Sequence, residues 1–229
     1  MNFWITALMV YQKRLNEKSF NNIYNFLSLF SCERKRDTLI NDDFHSVIEL
    51  EEPTIEITPK IKEIEKIIET AGKYGNSISF SEAEIIYNSI QEEVQNYPWL
   101  NSAIVYSIIE NESEFKKYAY NDKNSNNSVD YSYMQINEIS RIDYNNHHEE
   151  KVTPEQLMND TALNIKVGCW ILNKKRERLI IYGIESTEEN IIKAYNCGEG
   201  RVRDNDVPLS TEDYQKKVSK SIISWLPEA

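Results

Sequence analysis

The sequence contains little glycine, and its acidic residues outnumber its basic ones. Six of the 229 residues are glycine, which argues against a turn-rich β-sandwich and favours helices. Lysine and arginine total 26 against 37 aspartates and glutamates, so the formal net charge is -11 at pH 7. This charge makes nucleic acid a poor partner, because binding to phosphates needs basic side chains. It also disfavours charge attraction to anionic membranes or polymers.

Cysteine and histidine are also scarce, with three of each. Three cysteines are too few for a disulfide framework. Either Cys169 and Cys197 form a single bridge, or the thiols stay free and buried, which is the commoner state. The histidines, His45, His147 and His148, show no ligand spacing with carboxylates. The sequence therefore predicts no metal site and no cofactor.

No apolar run is long enough to cross a bilayer. The stretch Phe3–Tyr11 is apolar, but it is too short, no positive residue precedes it, and Lys13 and Arg14 follow it. Cys32 ends a segment that loosely resembles a lipoprotein cleavage site, but the charged residues before it argue against acylation. We therefore expect no clear signal peptide.

The apolar content is sufficient for one domain with an appendage. The sequence is 40% hydrophobic and 11% aromatic, which is enough to build a core. Residues 1–80 are predicted to form an N-terminal helical appendage of unknown role with a charged linker. Residues 81–229 are predicted to form the main domain.

Helical periodicity dominates the chain after residue 58. Isoleucines at helical spacing predict a helix over residues 59–73, and Ser81 with Glu84 resembles a capping box opening a helix that reaches about residue 96. Residues 100–113 are nearly continuous in apolar side chains, which predicts a central helix. Residues 119–146 are rich in Asn, Asp, Ser and Tyr and predict a small ribbon or an ordered loop. Further helices are predicted from Pro154, over residues 160–177 and 188–194, and from a cap formed by Ser210 and Asp213.

Glu112 lies in the last turn of the predicted central helix, after the apolar run Ala103–Ile109. Burial disfavours a charged carboxylate, and the negative end of the helix dipole opposes a further negative charge. We therefore expect its pKa to lie above the usual value of about 4.3. A carboxyl that keeps its proton near neutral pH is what a general acid requires. A lone glutamate at a helix end is more often simply solvated, so the interpretation depends on its companions.

The neighbours of Glu112 on its helix have separate predicted roles. Glu110 and Glu114 lie roughly 200° around the helix and are expected to point elsewhere. Ser113 either caps the helix end or hydrogen-bonds a substrate group.

Two later segments offer side chains that suit a sugar. Gln135 provides a donor and an acceptor for hydroxyl and N-acetyl groups, and Met134 can form the floor of an apolar subsite. Tyr195 is placed either to pack on Glu112 or to hydrogen-bond it, and Asn196 to hold substrate. Alone, the first segment is typical of a polar loop leading into a core strand, and the second of a helix C-cap.

Taken in order, these elements resemble the lytic transglycosylase domain of the goose-lysozyme-like superfamily. The family has a Glu-Ser pair closing a hydrophobic helix, a Gly-Leu-Met-Gln segment and an Ala-Tyr-Asn-Ala-Gly turn. The chain shows Glu112-Ser113, Ser132-Tyr133-Met134-Gln135 and Ala194-Tyr195-Asn196-Cys197-Gly198. The segment from Asp160 to Gly168 resembles the Asn-Ile-x-x-Gly signature. The resemblance covers about residues 95–225.

The resemblance implies a mainly α, lysozyme-like (α+β) fold. A helical bundle would surround a central buried helix, with a small β or irregular insert forming a sugar-binding cleft. Glu112 would be the single catalytic acid and base, and the substrate-binding residues would be Ser113, Tyr133, Met134, Gln135, Tyr195 and Asn196. The reaction would cleave the β-1,4 bond between N-acetylmuramic acid and N-acetylglucosamine and leave 1,6-anhydromuramic ends.

The resemblance also implies where such a chain works. Its partner would be the glycan strands of peptidoglycan. The loop before Met134 is similar to small transglycosylases of secretion systems, conjugation machines and phage tails, so such machinery is an expected partner. The expected location is the cell envelope or the outside of the cell.

Two departures from the family pattern keep alternatives open. Ser132 and Tyr133 replace the usual Gly-Leu, and their side chains are expected to narrow the cleft or alter specificity. This departure favours a catalytically inactive wall-binding module as one alternative. The other is a hydrolytic lysozyme, in which Asp130, or Asp122, serves as a second carboxylate that activates water. A helical structural protein with chance motifs is a third reading, which three ordered motifs disfavour.

Overall fold

The structure is a computed structural model that describes residues 58–123 and 128–227. Within these residues the chain forms nine helices and one sheet of three short antiparallel strands. The elements are α1 (Pro59–Lys73), α2 (Phe80–Asn96), α3 (Ser102–Ser113), β1 (Tyr120–Asn121), β2 (Asp130–Tyr131), β3 (Ile136–Asn137), α4 (Glu138–His148), α5 (Pro154–Asn159), α6 (Thr161–Ile181), α7 (Glu188–Cys197), α8 (Glu199–Arg203) and α9 (Leu209–Trp225). The mainly α fold with a small β insert is confirmed.

Helix α3 is the centre of the domain, as its apolar sequence predicts. Every residue from Ala103 to Ile109 is buried. The helix begins where the Asn101 side chain accepts a hydrogen bond from the Ile104 amide at 2.9 Å. It ends where the backbone of Glu114 turns left-handed, with a φ of 54°. Glu112 therefore lies in the last turn of a buried helix.

Helices α1, α2 and α9 pack around α3 and share its core. Ile64 and Ile67 of α1 are fully buried in the same cluster as α2 and α3. From α9, the Trp225 ring stacks on Tyr106 at a centroid distance of 4.6 Å. The compact unit begins at Thr58, so α1, which the sequence assigned to the appendage, belongs to the same core. Residues 1–57, with Phe3–Tyr11 and Cys32, lie outside the described residues.

The three strands place a row of polar residues on one face of the sheet. Asn121 pairs with Asp130, and Asp130 pairs with Asn137. Residues opposite each other across antiparallel strands point to the same face. The adjacent row, Tyr131 and Ile136, points to the other face, where Ile136 is buried.

Two predictions about local structure are wrong, and a third is confirmed only in part. Helix α2 is capped by Ser79, whose hydroxyl accepts from the Glu82 amide at 3.1 Å, and not by Ser81. Helix α9 begins directly after Pro208 without a side-chain cap, so Ser210 and Asp213 do not open it.

The third concerns the segment over residues 119–146, whose first part forms the predicted ribbon as β1, β2 and β3 but whose last part is helix α4. The helix starts where the Asn137 side chain accepts from the Ile139 amide at 3.0 Å. Tyr144 is the one buried residue of this helix, so its sequence lacks the apolar stripe that would predict a helix.

The cysteine alternatives are settled in favour of thiols. Cys169 and Cys197 are both free, the first buried and the second partly exposed. Among the residues that the structure describes, no helix combines the length and the apolar character needed to span a membrane.

Candidate active site

The Glu112 carboxyl is enclosed by protein atoms where α3, α7, α9 and the sheet meet, although part of the side chain remains accessible. The Tyr214 hydroxyl on α9 donates a hydrogen bond of 2.6 Å to Glu112 Oε1. Burial raises the pKa of Glu112 to about 7, although the Tyr214 hydrogen bond lowers it; the negative charge of Asp130 adds to the rise. The pKa elevation expected from the sequence is thus present.

The adjacent carboxylates on α3 point away from Glu112, as the helical geometry predicts. Glu110 Oε1 accepts from the Tyr74 hydroxyl at 2.9 Å, and its Oε2 accepts from the Trp225 indole at 2.8 Å. Glu114 is the exposed residue that ends the helix. Glu112 is therefore separated from its acidic neighbours.

Asp130 on β2 is held by two amides of the polar row. Asn121 Nδ2 donates to Asp130 Oδ2 at 3.0 Å, and Asn137 Nδ2 donates to Asp130 Oδ1 at 2.8 Å. Asp130 is close enough to Glu112 for its charge to raise the pKa of that residue, whereas Asp122 is exposed beyond β1.

The loop of residues 132–135 is stabilised by hydrogen bonds from its own side chains. Ser132 and Gln135 adopt left-handed backbone, with φ of 62° and 45°. The Ser132 hydroxyl donates to the Lys117 carbonyl at 2.6 Å. Gln135 Nε2 donates to the carbonyls of Ser132 and Ala119, at 2.8 and 3.2 Å. A left-handed conformation at residue 132 explains why glycine suits this position.

Two residues of the Asn-Ile-x-x-Gly signature lie against Met134 of this loop. Asn164 Oδ1 on α6 accepts from the Met134 amide at 3.0 Å. A Cβ added to Gly168 would lie 2.2 Å from Met134 Sδ, so any larger residue there would force the buried Met134 side chain to shift. The signature therefore has a physical meaning in this chain, because it shapes α6 to receive the loop.

The Ala-Tyr-Asn segment is the end of α7. The Tyr195 hydroxyl donates to the Met134 carbonyl at 2.7 Å rather than to Glu112. Burial and then the charge of Glu112 raise the pKa of Tyr195 well above its usual value, which places the two side chains close together. Asn196 is exposed, and its Oδ1 accepts from the Thr211 hydroxyl at 2.7 Å. Gly198 ends the helix with a φ of 88°.

Three residues predicted to bind substrate have buried side chains. Ser113 is 6% exposed and its hydroxyl donates to the Ile109 carbonyl, Met134 is fully buried, and Tyr133 is 1% exposed. The Tyr133 hydroxyl donates to Glu82 Oε1 at 3.1 Å. Their burial leaves these side chains little surface with which to contact a substrate.

The sequence did not identify Tyr214 or Glu82 as site residues. Tyr214 lies in the last predicted helix, but nothing in the sequence indicates that its hydroxyl reaches Glu112. No sequence feature marked Glu82 as a site residue, because glutamate is common in the first turn of a helix. No group of three or more His, Cys, Asp or Glu residues in the ranges 58–123 and 128–227 is arranged to hold a metal ion.

Comparison with known proteins bears on the family of the chain. A search of curated proteins found no match. A solved structure of an inactive Glu-to-Gln mutant of lytic transglycosylase Slt from Pseudomonas aeruginosa is similar at 18% sequence identity and a TM-score of 0.49. That match covers 60% of this chain and 23% of the other, so this chain spans less than a quarter of the Pseudomonas protein. The family model of the Transglycosylase SLT domain matches residues 88–218, more than half of the sequence, and the chain belongs to this family.

Proposed function

We propose that this chain is a peptidoglycan lytic transglycosylase in which Glu112 is the only acid and base. The observation that carries the proposal is the buried Glu112 carboxyl with a pKa of about 7. Such a group is protonated often enough at neutral pH to act as an acid, and ionised often enough to act next as a base. Its place within an SLT domain supports a glycan as the substrate.

The Tyr214 hydrogen bond gives the two carboxyl oxygens of Glu112 different roles. Burial and the nearby Glu112 charge raise the pKa of Tyr214 well above its usual value, so its phenol stays protonated. Because Tyr214 donates to Oε1, the proton of the acid form lies on Oε2. In the proposed mechanism Oε2 is therefore the oxygen that donates the proton to the glycosidic oxygen.

In the first step, Glu112 Oε2 gives its proton to the oxygen between N-acetylmuramic acid and N-acetylglucosamine. The bond from the muramic C1 to that oxygen breaks, and its electron pair leaves with the oxygen. C1 is left with oxocarbenium character, which the substrate N-acetyl group and the surrounding dipoles stabilise. The charge of Asp130, held by Asn121 and Asn137, favours this positive centre as well.

In the second step, Glu112 is a carboxylate, and the Tyr214 hydrogen bond stabilises its charge. The carboxylate removes the proton from the muramic C6 hydroxyl as the C6 oxygen bonds to C1. The product is a 1,6-anhydro ring, and Glu112 regains its proton without water. One carboxyl is sufficient because the proton that it gives to the departing oxygen is replaced by the proton that it takes from the C6 hydroxyl.

One observation favours hydrolysis as a second candidate. Asp130 is close enough to Glu112 to affect its pKa, and a second carboxylate that activates water would give reducing muramic ends. Transglycosylation remains the preferred proposal because both Asp130 oxygens are already engaged as hydrogen-bond acceptors by Asn121 and Asn137.

The test is digestion of purified murein followed by mass spectrometry of the products. We expect 1,6-anhydromuramic ends from wild type, and a loss of cleavage of at least about a thousandfold in Glu112→Gln, with murein binding retained. Asp130→Asn should reduce the rate and leave the anhydro product unchanged. Reducing ends from wild type would establish the hydrolase instead. Binding without cleavage by wild type would establish a wall-binding module.

We also propose that the chain works in the cell envelope or outside the cell, reached by export or within a phage particle. The support is the proposed substrate together with the resemblance of the loop before Met134 to transglycosylases of such machinery. Fractionation of cells that make the chain checks this, and recovery of the protein in the cytoplasm alone would contradict it.

A further inference from the structure

Glu82 lies outside the residues that match the family model, yet it joins three elements next to loop 132–135. Its Oε1 accepts from the hydroxyls of Tyr133, at 3.1 Å, and Thr161. Its Oε2 accepts from Lys117 Nζ at 3.0 Å. These donors come from the loop, the first turn of α6 and the segment after α3. Glu82 therefore ties α2 to each of the three.

The loop requires an anchor because of its backbone. The left-handed φ of Ser132 and Gln135 is disfavoured for residues with a side chain. Lys117 contributes twice, since its ammonium binds Glu82 and its carbonyl accepts from the Ser132 hydroxyl at 2.6 Å. Both residues that depart from the Gly-Leu pattern are thus linked to Glu82, Tyr133 directly and Ser132 through Lys117.

The charge of Glu82 strengthens these links. Burial opposes ionisation of this carboxyl, but hydrogen bonds from Thr161 and Lys117, the Lys117 charge and a hydrogen bond from Tyr133 outweigh it and lower its pKa. Burial together with the Glu82 charge raises the pKa of Tyr133, which keeps its hydroxyl protonated. The Tyr133 hydrogen bond is therefore charge-assisted, which makes it stronger than one between neutral groups.

We propose that Glu82 is a positioning residue that holds loop 132–135 in its left-handed conformation through Tyr133 and Lys117. The loop in turn presents the Met134 carbonyl to Tyr195, the side chain beside Glu112. Serine and tyrosine thus occupy the positions of glycine and leucine without loss of the loop's shape. The effect on glycan binding rests on the proposed function, whereas the effect on the loop does not.

The test compares Tyr133→Phe with a matched control, Tyr106→Phe. Tyr106 is also 1% exposed and also donates to a glutamate, Glu63 Oε2, at 3.0 Å, but it lies on the face of α3 toward α1. Each variant loses one phenol hydroxyl from a buried tyrosine. The readouts are amide hydrogen exchange over residues 132–136, and kcat and KM on solubilised glycan strands.

In Tyr133→Phe we expect about tenfold faster exchange in the loop and about tenfold higher KM, the size expected for one hydrogen bond to a charged group. Neither kcat nor the pH profile should move, because Glu112 keeps its contacts. Tyr106→Phe should change neither exchange nor KM. Glu82→Gln, which still offers an acceptor, should retain more loop protection than Glu82→Leu.

Equal loop exchange in the two tyrosine variants would overturn the inference, whatever the activity. Faster exchange confined to Tyr133→Phe would support it even if wild type fails to cleave murein, an outcome that rejects the proposed function alone. Faster exchange with an unchanged KM would show that the loop conformation does not affect glycan binding and would overturn that part.

Discussion

The contact between Glu112 and Tyr214 sets the protonation range of the proposed acid. Burial alone would push the Glu112 pKa still higher, and the 2.6 Å hydrogen bond from Tyr214 opposes that effect by favouring the carboxylate. Tyr195 also lies close to the acid, but its hydroxyl donates to the Met134 carbonyl. The two tyrosines therefore have different roles: Tyr214 binds the acid, and Tyr195 binds the loop.

Replacement of Tyr214 by phenylalanine should raise the Glu112 pKa above about 7. The carboxylate loses a donor that stabilises its charge, so the alkaline limb of the pH–activity profile should move to higher pH by about one unit. We also expect about a tenfold lower kcat near pH 7, because the acid gives up its proton less readily. Profiles of wild type, Tyr214→Phe and the control Tyr106→Phe check this. A limb that stays in place or moves to lower pH would show that Tyr214 does not govern Glu112.

At the scale of elements, α6 organises the site from two positions. Near its start, Asn164 and Gly168 receive loop 132–135. Further along, Lys175 and Arg178 bind the Glu199 carboxylate, at 2.6 and 2.5 Å. Glu199 directly follows Gly198, where α7 ends. These ion pairs therefore fix the end of α7, which carries Tyr195 and Asn196.

Substitution of Glu199 by glutamine should lower the free energy of unfolding at pH 7 by about 2 kcal/mol. This loss is smaller than the usual cost of breaking a buried ion pair, because Arg178 is partly exposed. Burial opposes ionisation of Glu199, but Lys175 and Arg178 outweigh it and lower its pKa to about 2. A lowered folded-state pKa gives stability that is present above the usual value near 4.5 and is lost as the pH falls toward 2. Urea unfolding at pH 7 and pH 3 checks this. An equal difference at both pH values would contradict it.

The elements also show what sequence patterns could predict. The helix over residues 59–73 was predicted with its bounds, because its isoleucines repeat at helical spacing and Thr58 and Pro59 start it. Helix α4 was missed, because a helix that buries only Tyr144 lacks that spacing. The cap of α2 was misplaced by two residues, since Ser79 and Ser81 are both plausible caps and only the backbone conformation selects between them.

For the whole molecule, the proposed acid lowers stability as the pH rises. In the unfolded chain Glu112 would ionise near 4.5, whereas in the folded protein its pKa is about 7. A raised folded-state pKa means that its contribution to stability is full below the unfolded value and is lost as the pH rises through about 7. The fold thus has to stabilise a group that prefers to be charged in water.

Glu112→Gln, which cannot ionise, should therefore be more stable than wild type at pH 9, by about 3 kcal/mol, and no more stable at pH 4. Thermal or urea unfolding at the two pH values measures this directly. Glu110→Gln is a suitable control, because Glu110 is only partly buried and bound by Tyr74 and Trp225. If Glu112→Gln brought the same gain at both pH values, the raised pKa of Glu112 would be refuted.

The sequence by itself determined the central helix, the acid at its end and the order of the three motifs, because these depend on local periodicity and on residues close together in the chain. Only the tertiary structure decided which groups surround that acid. Tyr214 is 102 residues from Glu112, and Thr161 is 79 residues from Glu82, so nothing in local sequence encodes these contacts. They arise because burying the apolar faces of α2, α6 and α9 brings polar side chains together, and each buried polar group must then find its partner.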